Sequence, residues 1–173
     1  MKKINLCLTL SISLLIATVC NAQNSFRIIQ KDFEKLSGTW QGSLTYLDYS
    51  SGKPYTMPAD IKIKRVEQTN KFIFSNIYPN EVNANSIDTI SISSDGKFID
   101  KELVKSRRTL LNGDIEIITE VLGKDGNDNK PATIRHTYTF GTTTYKNIKD
   151  VQFTGQKNWI NRHEYSYKKK PSR

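Results

Sequence analysis

The sequence predicts an all-β protein: an antiparallel up-and-down barrel of 8–10 strands with one short N-terminal helix. Three observations predict this fold. Apolar residues alternate with polar ones over most of the chain, the alternating runs are rich in Ile, Val, Thr, Tyr and Phe, and short turn signals separate them. A sheet with one apolar face covers its own core when it curls, and closing the sheet also removes its exposed edges.

The helix is predicted from the segment SFRIIQKDFEKL. Ile28, Ile29, Phe33 and Leu36 recur there at roughly helical spacing, with polar residues between them. After Leu36 the hydrophobic period changes from 3.6 to 2 and stays at 2. We therefore expect one short helix that packs against the sheet through these four residues.

The strand-like runs follow one another as a meander. Turn signals such as Ser51-Gly52, Asp95-Gly96 and Asn112-Gly113 fall between them, and the chain has no internal repeat. The predicted strands are 39–48, 55–66, 71–78, 86–93, 97–105, 107–111, 114–122, 132–140, 144–154 and 159–168.

Residues 1–22 have the layout of a secretory signal peptide. Lys2 and Lys3 precede an apolar run from about Leu6 to Val19, and small residues lead to an exit at Ala22. The run is too short to span a bilayer as a permanent anchor, so no transmembrane segment is expected. We expect an exported protein, periplasmic or secreted, with one barrel domain over residues 23–173.

Both cysteines, Cys7 and Cys20, lie in the predicted signal. The mature domain would therefore have no disulfide and no cysteine-based metal site. The alternative to simple export is a lipoprotein anchored through Cys20, but the preceding residues ATV lack the Leu and the Gly or Ala that such a site usually shows.

The chain is basic. It has 26 Lys and Arg residues, of which two leave with the signal, so 24 remain against 17 acidic residues and the formal charge is +7. A basic protein can bind nucleic acid, anionic lipid or acidic glycans. Export and the absence of a basic motif interleaved with aromatic residues argue against nucleic acid, and a solvated surface is the favoured interpretation.

Strand parity, starting from Trp40 on the inside, assigns polar as well as apolar residues to the interior. Buried polar groups need partners, which are one another, trapped water or a ligand. A cavity of ligand size and a filled core with local hydrogen bonds both remain open. The candidate ligand-binding residues are Trp40, Tyr46, Arg65, Phe74, Asn76, His136, Tyr138, His163 and Tyr165.

The motifs of catalysis and metal binding are absent. The sequence contains no Gly-x-Ser-x-Gly and no His-Glu-x-x-His. His136 and His163 lie on strands separated by one other, about 10 Å apart in a simple meander, which is too far for a shared zinc ion. The segment GKDGNDN, 123–129, lacks the closing Glu of an EF-hand loop and is predicted to be a flexible hairpin connection.

The short helix followed by LSGTW resembles the lipocalin and fatty-acid-binding (calycin) superfamily. In that group the Trp of Gly-x-Trp packs at the closed end of the barrel, and an Arg on the last strand commonly lies across it. Gly38 and Trp40 match the first feature, and Arg162 is the candidate for the second. Simple parity places Arg162 on the opposite face of the strand from His163, and a bulge near the strand start would bring the two side chains to the same face. The runs GTWQGSLTYLDYSSGK, TYTFG and WINRHEYSYK are similar to small exported lipocalin-like barrels of Bacteroidetes-type bacteria.

The resemblance implies a fold and not a function. From the mixed polar and apolar interior we expect non-catalytic binding of a small hydrophobic or amphipathic molecule inside a monomeric barrel, with no cofactor. Fatty-acid-binding proteins hold a carboxylate with an Arg-x-Tyr pair on the last strand, which reads His163-Glu164-Tyr165 here, so carboxylate capture is in doubt. Haem-binding barrels of the nitrobindin type use one late-strand His, and His136 or His163 would serve in that alternative.

Two further functions are alternatives. One is a solid-core interaction module that uses its basic outer surface, with Lys62, Lys64 and Lys149 among the predicted surface charges, to bind an anionic glycan or a partner protein. The other is an enzyme that works inside the barrel.

Overall fold

A computed structural model describes residues 28–48 and 51–171. In these ranges the chain forms a nearly closed antiparallel up-and-down barrel, which confirms the predicted fold class. The predicted signal peptide and the alternative lipid anchor at Cys20 lie outside the described residues. Within those two ranges, none of the helical structure is long and apolar enough to cross a membrane.

A helix over residues 28–34 precedes the barrel. A single 3-10 turn, Val82–Ala84, follows the third strand. Ten strands then make up the sheet: β1 Gly38–Leu47, β2 Pro54–Arg65, β3 Lys71–Ile77, β4 Ser86–Ser91, β5 Phe98–Ile99, β6 Glu102–Thr109, β7 Ile115–Asp125, β8 Lys130–Phe140, β9 Thr144–Phe153 and β10 Ile160–Lys169.

The strand order is β4-β3-β2-β1-β10-β9-β8-β7-β6-β5, with each neighbouring pair antiparallel. The first and last strands therefore meet, with Trp40 opposite Lys169. The remaining seam lies between β4 and β5, where a bridge between Ile92 and Ile99 joins the two edges.

The predicted strands 97–105 and 107–111 are wrong in their bounds, because β6 runs without a break from Glu102 to Thr109. The run 97–105 is not continuous, because the chain turns after Ile99 and leaves β5 only two residues long. Asp100 makes this turn with a φ of 53°, a left-handed conformation that Asp tolerates better than most residues. Its carboxylate accepts hydrogen bonds from the backbone N–H and the hydroxyl of Ser91, which holds the turn against the end of β4.

The helix closes one end of the barrel. The Phe33 ring lies 5.7 Å from that of Phe72, 5.8 Å from Tyr138 and 6.0 Å from Phe140. Ile29 and Leu36 are also buried in this core, as their spacing predicts. Ile28 is 43% exposed and lies on the solvent side of the helix, so only three of the four predicted contacts form.

Two ion pairs fix the helix to the barrel. Asp32, which is 3% exposed, accepts hydrogen bonds from Nε and a terminal nitrogen of Arg107 at 2.7 and 3.0 Å. This hydrogen bonding raises the pKa of the Arg107 guanidinium. Arg65 donates to Glu34 at 2.7 Å and to the carbonyl of Thr69. The end of β2 is therefore used to hold the helix.

Trp40 is fully buried at this closed end, the position that the resemblance to Gly-x-Trp proteins implies. Its indole N–H donates to the carbonyl of Leu36 at 2.7 Å, so the polar edge of the ring is satisfied by the chain that leaves the helix. The ring also contacts Tyr145 on β9 at a centroid distance of 6.0 Å.

Lys169 is the cation that lies over the Trp40 ring. The prediction that Arg162 has this role is wrong. The Lys169 ammonium lies 4.9 Å from the centre of the Trp40 ring and donates to the carbonyl of Lys35. Register explains the difference, because Lys169 pairs with Trp40 whereas Arg162 lies at the opposite end of β10. Gly38 has a φ of 130°, and a Cβ there would come within 3.0 Å of the Lys169 side chain.

We expect Lys169→Met to lower the free energy of unfolding by about 1 kcal/mol, because it removes the cation–π contact and one hydrogen bond. Lys168→Met is the matched control, since Lys168 is the next residue on β10 and is exposed. Urea unfolding followed by tryptophan fluorescence measures both variants. Equal stability of the two variants would contradict a stabilising contact between Lys169 and Trp40.

Candidate ligand-binding site

The inward side chains of the barrel are arranged in rows that the strand register defines. Two rows form what we call the aromatic layer: Gly42, Tyr167, Tyr145 and Phe140, and then Leu44, Tyr165, Asn147 and Tyr138. The next row toward the end that lies away from the helix is Tyr46, His163, Lys149, His136 and Thr119. Together with Glu102, Asp125 and Arg162, this row forms the polar layer.

A cavity of about 160 Å³ lies in the aromatic layer. Tyr145 and Tyr167 stack at 5.4 Å and Tyr167 and Tyr165 at 5.8 Å, so three parallel rings form one wall. Asp88 is exposed, which means that the cavity reaches solvent beside β4. The lining residues are Ile61, Phe74, Asn76, Asp88, Ile90, Tyr145, Asn147, Tyr165 and Tyr167.

Three polar side chains of this cavity, Asn76, Asp88 and Tyr165, have hydrogen-bond partners. The Asn76 amide donates to Asp88 Oδ2 at 2.7 Å, and the hydroxyls of Tyr165 and Tyr78 are 2.8 Å apart. Burial, and next the hydrogen bond with Tyr78, raises the pKa of the Tyr165 phenol, so it is neutral at physiological pH.

Asn147 carries a fully buried polar atom in this cavity. Its side-chain Oδ1 is buried and accepts no hydrogen bond from any group in the described part of the chain. Because buried polar atoms are nearly always satisfied, this oxygen marks the place where a donor is missing.

Glu102 and His136 form a pair in the polar layer. His136 Nδ1 lies 2.8 Å from Glu102 Oε1, and the buried Thr119 hydroxyl donates to Glu102 Oε2. Burial raises the pKa of the Glu102 carboxyl, but the hydrogen bond and charge of His136 and the bond from Thr119 together outweigh it. The net pKa is lowered, so Glu102 is a carboxylate.

His163 lies beside this pair. Its ring centre is 6.4 Å from that of His136 and 5.2 Å from that of Tyr165. The two histidines do lie on strands separated by β9, but the expected separation of about 10 Å is too long, because side chains inside a curved sheet converge. Burial first, then the charges of His136 and Lys149, lower the pKa of His163 to about 4.

Asp125 joins two cations at the top of the polar layer. It lies 2.8 Å from Lys149 Nζ and 2.6 Å from Arg162 Nε, and the side chains of Asp125 and Arg162 are 10% and 9% exposed. Burial raises the pKa of Asp125, but Lys149 and Arg162 outweigh it and lower the pKa overall.

These three positions correct the sequence analysis. Asp125 belongs to β7 and not to a flexible connection, because the strand runs three residues beyond its predicted end. Lys149 is not a surface charge, since it shares the inward row of His136 and His163. A bulge between Asn161 and His163 brings Arg162 inward as well, as the bulge alternative required.

The structure places the nine candidate residues in three regions. Phe74, Asn76 and Tyr165 line the cavity. Tyr138 lies in the aromatic layer, whereas Tyr46, His136 and His163 share the row of the polar layer. Tyr46 also packs on Tyr55. Trp40 and Arg65 belong to the closed end.

Sequence reasoning missed several lining residues. Tyr145 and Asn147 on β9 and Asp88 on β4 were not candidates. Tyr145, Asn147, Lys149 and Val151 share one parity, which is the signal that identifies the inner face of β9.

A larger groove, of about 670 Å³, crosses the outer faces of β1, β8, β9 and β10. Ser43, Lys146, Ser166 and Lys168 are among its lining residues, and Lys146 is paired with Glu164 at 2.8 Å. We regard the smaller inner cavity as the better candidate, because it combines aromatic walls with a buried polar atom that has no partner. Within the described ranges, no group of three or more His, Asp or Glu side chains could hold a metal ion.

No family model matches the sequence, and no curated protein matches it. Among solved structures, the crystal structure of Rv2717c from M. tuberculosis is similar at a TM-score of 0.49 and 11% sequence identity. The match covers 82% of this chain and 96% of that chain. A likeness of this degree carries no functional conclusion.

Proposed function

We propose that this protein is a lipocalin-like barrel that binds a small, partly apolar molecule without catalysis, in the cavity of the aromatic layer. The observation that carries the proposal is the buried Oδ1 of Asn147, which has no partner within the described residues. An unsatisfied buried acceptor costs about 1–3 kcal/mol, and a ligand N–H or O–H would remove that cost.

The cavity size limits the ligand. A volume of about 160 Å³ is close to that of engineered apolar cavities that hold one benzene molecule, and smaller than the ~300 Å³ of most drug-sized sites. The stacked rings of Tyr145, Tyr167 and Tyr165 provide a flat apolar wall for one ring or a short alkyl body. Haem does not fit this cavity, because its four pyrrole rings need more space than a cavity for one ring provides.

The polar layer supports a binding role more than a catalytic one. Glu102 is engaged by His136 and Thr119, and Asp125 by Lys149 and Arg162. These groups satisfy one another and do not face the cavity as a set. Their proposed role is to close the barrel above the ligand.

The first experiment is native mass spectrometry of the protein purified from its own host. The second measures binding of phenol as a probe of the cavity. Phenol carries one ring and one O–H donor, whereas toluene has the ring alone. We expect Asn147→Leu to weaken phenol binding about tenfold and to leave toluene binding unchanged, the size of one lost hydrogen bond. Titration calorimetry or ligand-observed NMR measures both.

Asn161→Leu is the matched control, because Asn161 is exposed on β10 and bonds only to Asp150 among described contacts. An unchanged phenol affinity in Asn147→Leu would contradict the proposal, as would a folded wild type that binds neither probe. A folded protein that ignores both probes and is retained on heparin would favour the alternative, a basic outer surface for anionic glycans.

A further inference from the structure

The charge of the cavity lining is one-sided. Among the nine described residues that line the cavity, Asp88 is the one acidic residue, and none is Lys or Arg. The nearby cations of the polar layer, Lys149 and Arg162, are both bonded to Asp125. A positive group in the cavity would therefore meet a carboxylate and no like charge in its walls.

Two side-chain oxygens of the lining could accept a hydrogen bond from a ligand. Asn147 Oδ1 has no donor within the described chain. Asp88 is held by the amide of Asn76 at 2.7 Å and by the hydroxyl of Ser86 at 3.3 Å, and both bonds end on Oδ2. Asp88 is therefore held in place, neither of these bonds uses Oδ1, and both Oδ1 and the Asn147 oxygen could accept from a ligand donor.

Aromatic rings complete the pattern. The rings of Tyr145, Tyr165 and Tyr167 lie in the same wall, and burial raises the pKa of each phenol, so none of them carries a phenolate charge. Neutral aromatic rings attract cations. An aromatic wall, a carboxylate and an amide oxygen around one small space are together the recognition chemistry of an organic ammonium group.

We infer that the ligand is a small amine bound in its ammonium form, with the nitrogen directed at Asp88 and Asn147 and a ring-sized apolar body against the tyrosines. This inference rests on the proposed function and names its ligand class. A primary ammonium offers three donors, which is enough to reach both acceptors. A carboxylate ligand would meet repulsion from Asp88, and a neutral alcohol would gain nothing from that charge.

The test uses three probes of nearly equal size at pH 7: benzylamine, benzyl alcohol and benzoate. We expect benzylamine to bind at least about tenfold more tightly than benzyl alcohol, and benzoate not to bind. The formal charge of the whole sequence is +9, so non-specific attraction would favour benzoate, the opposite order. Preference for the cation therefore reports the cavity and not the surface.

Asp88→Asn should reduce benzylamine affinity about tenfold and leave benzyl alcohol unchanged. Asp88 is exposed and lies on an edge strand, so the variant should fold, and circular dichroism checks this. Asp128→Asn, in the exposed turn between β7 and β8, is the matched control.

The outcomes separate the two proposals. Equal binding of benzylamine and benzyl alcohol, or equal benzylamine binding in Asp88→Asn and wild type, overturns the amine inference and leaves the proposed cavity function standing. A folded protein that binds none of the three probes overturns both.

Discussion

Replacing Asp125 with Ala is expected to lower the free energy of unfolding by about 3 kcal/mol at pH 7. Lys149 and Arg162 both bond to this carboxylate, and Arg162 is 9% exposed. Removing one member of a buried ionic group strands the charges that it compensated, which costs more than the loss of a surface pair. Urea unfolding monitored by circular dichroism measures the change.

Asp128→Ala is the control for this experiment. Asp128 lies only three residues farther along the chain, its side chain is 70% exposed, and it pairs with Lys130 at 2.9 Å. Exposed pairs of this kind contribute about 0–1 kcal/mol. Similar losses in the two variants would show that Asp125 has no special structural role.

Lowering the pH from 7 to 5 should destabilise the protein by about 2 kcal/mol through His163 alone. Burial and nearby positive charge lower the pKa of His163 from 6.5 to about 4. Between these two pKa values the unfolded chain binds a proton that the folded protein does not bind. Lowering the pH therefore stabilises the unfolded state relative to the folded state. This stabilising contribution is complete above pH 6.5 and is lost as the pH approaches 4.

The pH window separates His163 from the buried carboxylates. The pKa values of Glu102 and Asp125 are lowered on folding, so their stabilising contributions persist above their ordinary values of 4.5 and 3.8 and are lost below them. Urea unfolding of wild type and His163→Gln at pH 7, 6 and 5 makes the comparison. We expect a nearly flat profile for the variant, and an unchanged slope would assign the effect to another group.

The sequence predicts the barrel because its local and global signals agree. On β1, apolar residues such as Trp40 and Leu44 alternate with polar ones, so parity and turn signals together define the strand and its inner face. Phe33 and Leu36 follow a different period, and this change of period identifies the helix.

The inner face of β9 could not be predicted in the same way. Asn147 and Lys149 point inward while Ile148 points outward, so the parity of Tyr145 and Val151 indicates the inner side of β9 less clearly than Trp40 and Leu44 do on β1. A lysine is normally exposed, and only the distant carboxylate of Asp125 makes its burial possible. That pairing joins residues 24 positions apart and depends on strand register.

The inward position of Arg162 could not be predicted for a different reason. Its inward position requires a bulge between Asn161 and His163, and strict alternation places it on the opposite face. Bulges are set by how two strands fit together in three dimensions, which a single sequence read two residues at a time does not record. The cavity boundary has the same origin, because it depends on how β2–β4 meet β9 and β10.

Closure of the barrel by β10 has a consequence for how the protein reaches its native state. This strand is the last of the ten in chain order, yet it supplies Arg162, His163, Tyr165 and Tyr167 to the interior and pairs with β1 more than one hundred positions earlier. Contacts so distant in sequence form late and slow the folding reaction. Until β10 docks, the chain has two open sheet edges, at β1 and β9, that can aggregate. The inner cavity takes two of its lining tyrosines, Tyr165 and Tyr167, from β10, so it is complete only when those edges are sealed.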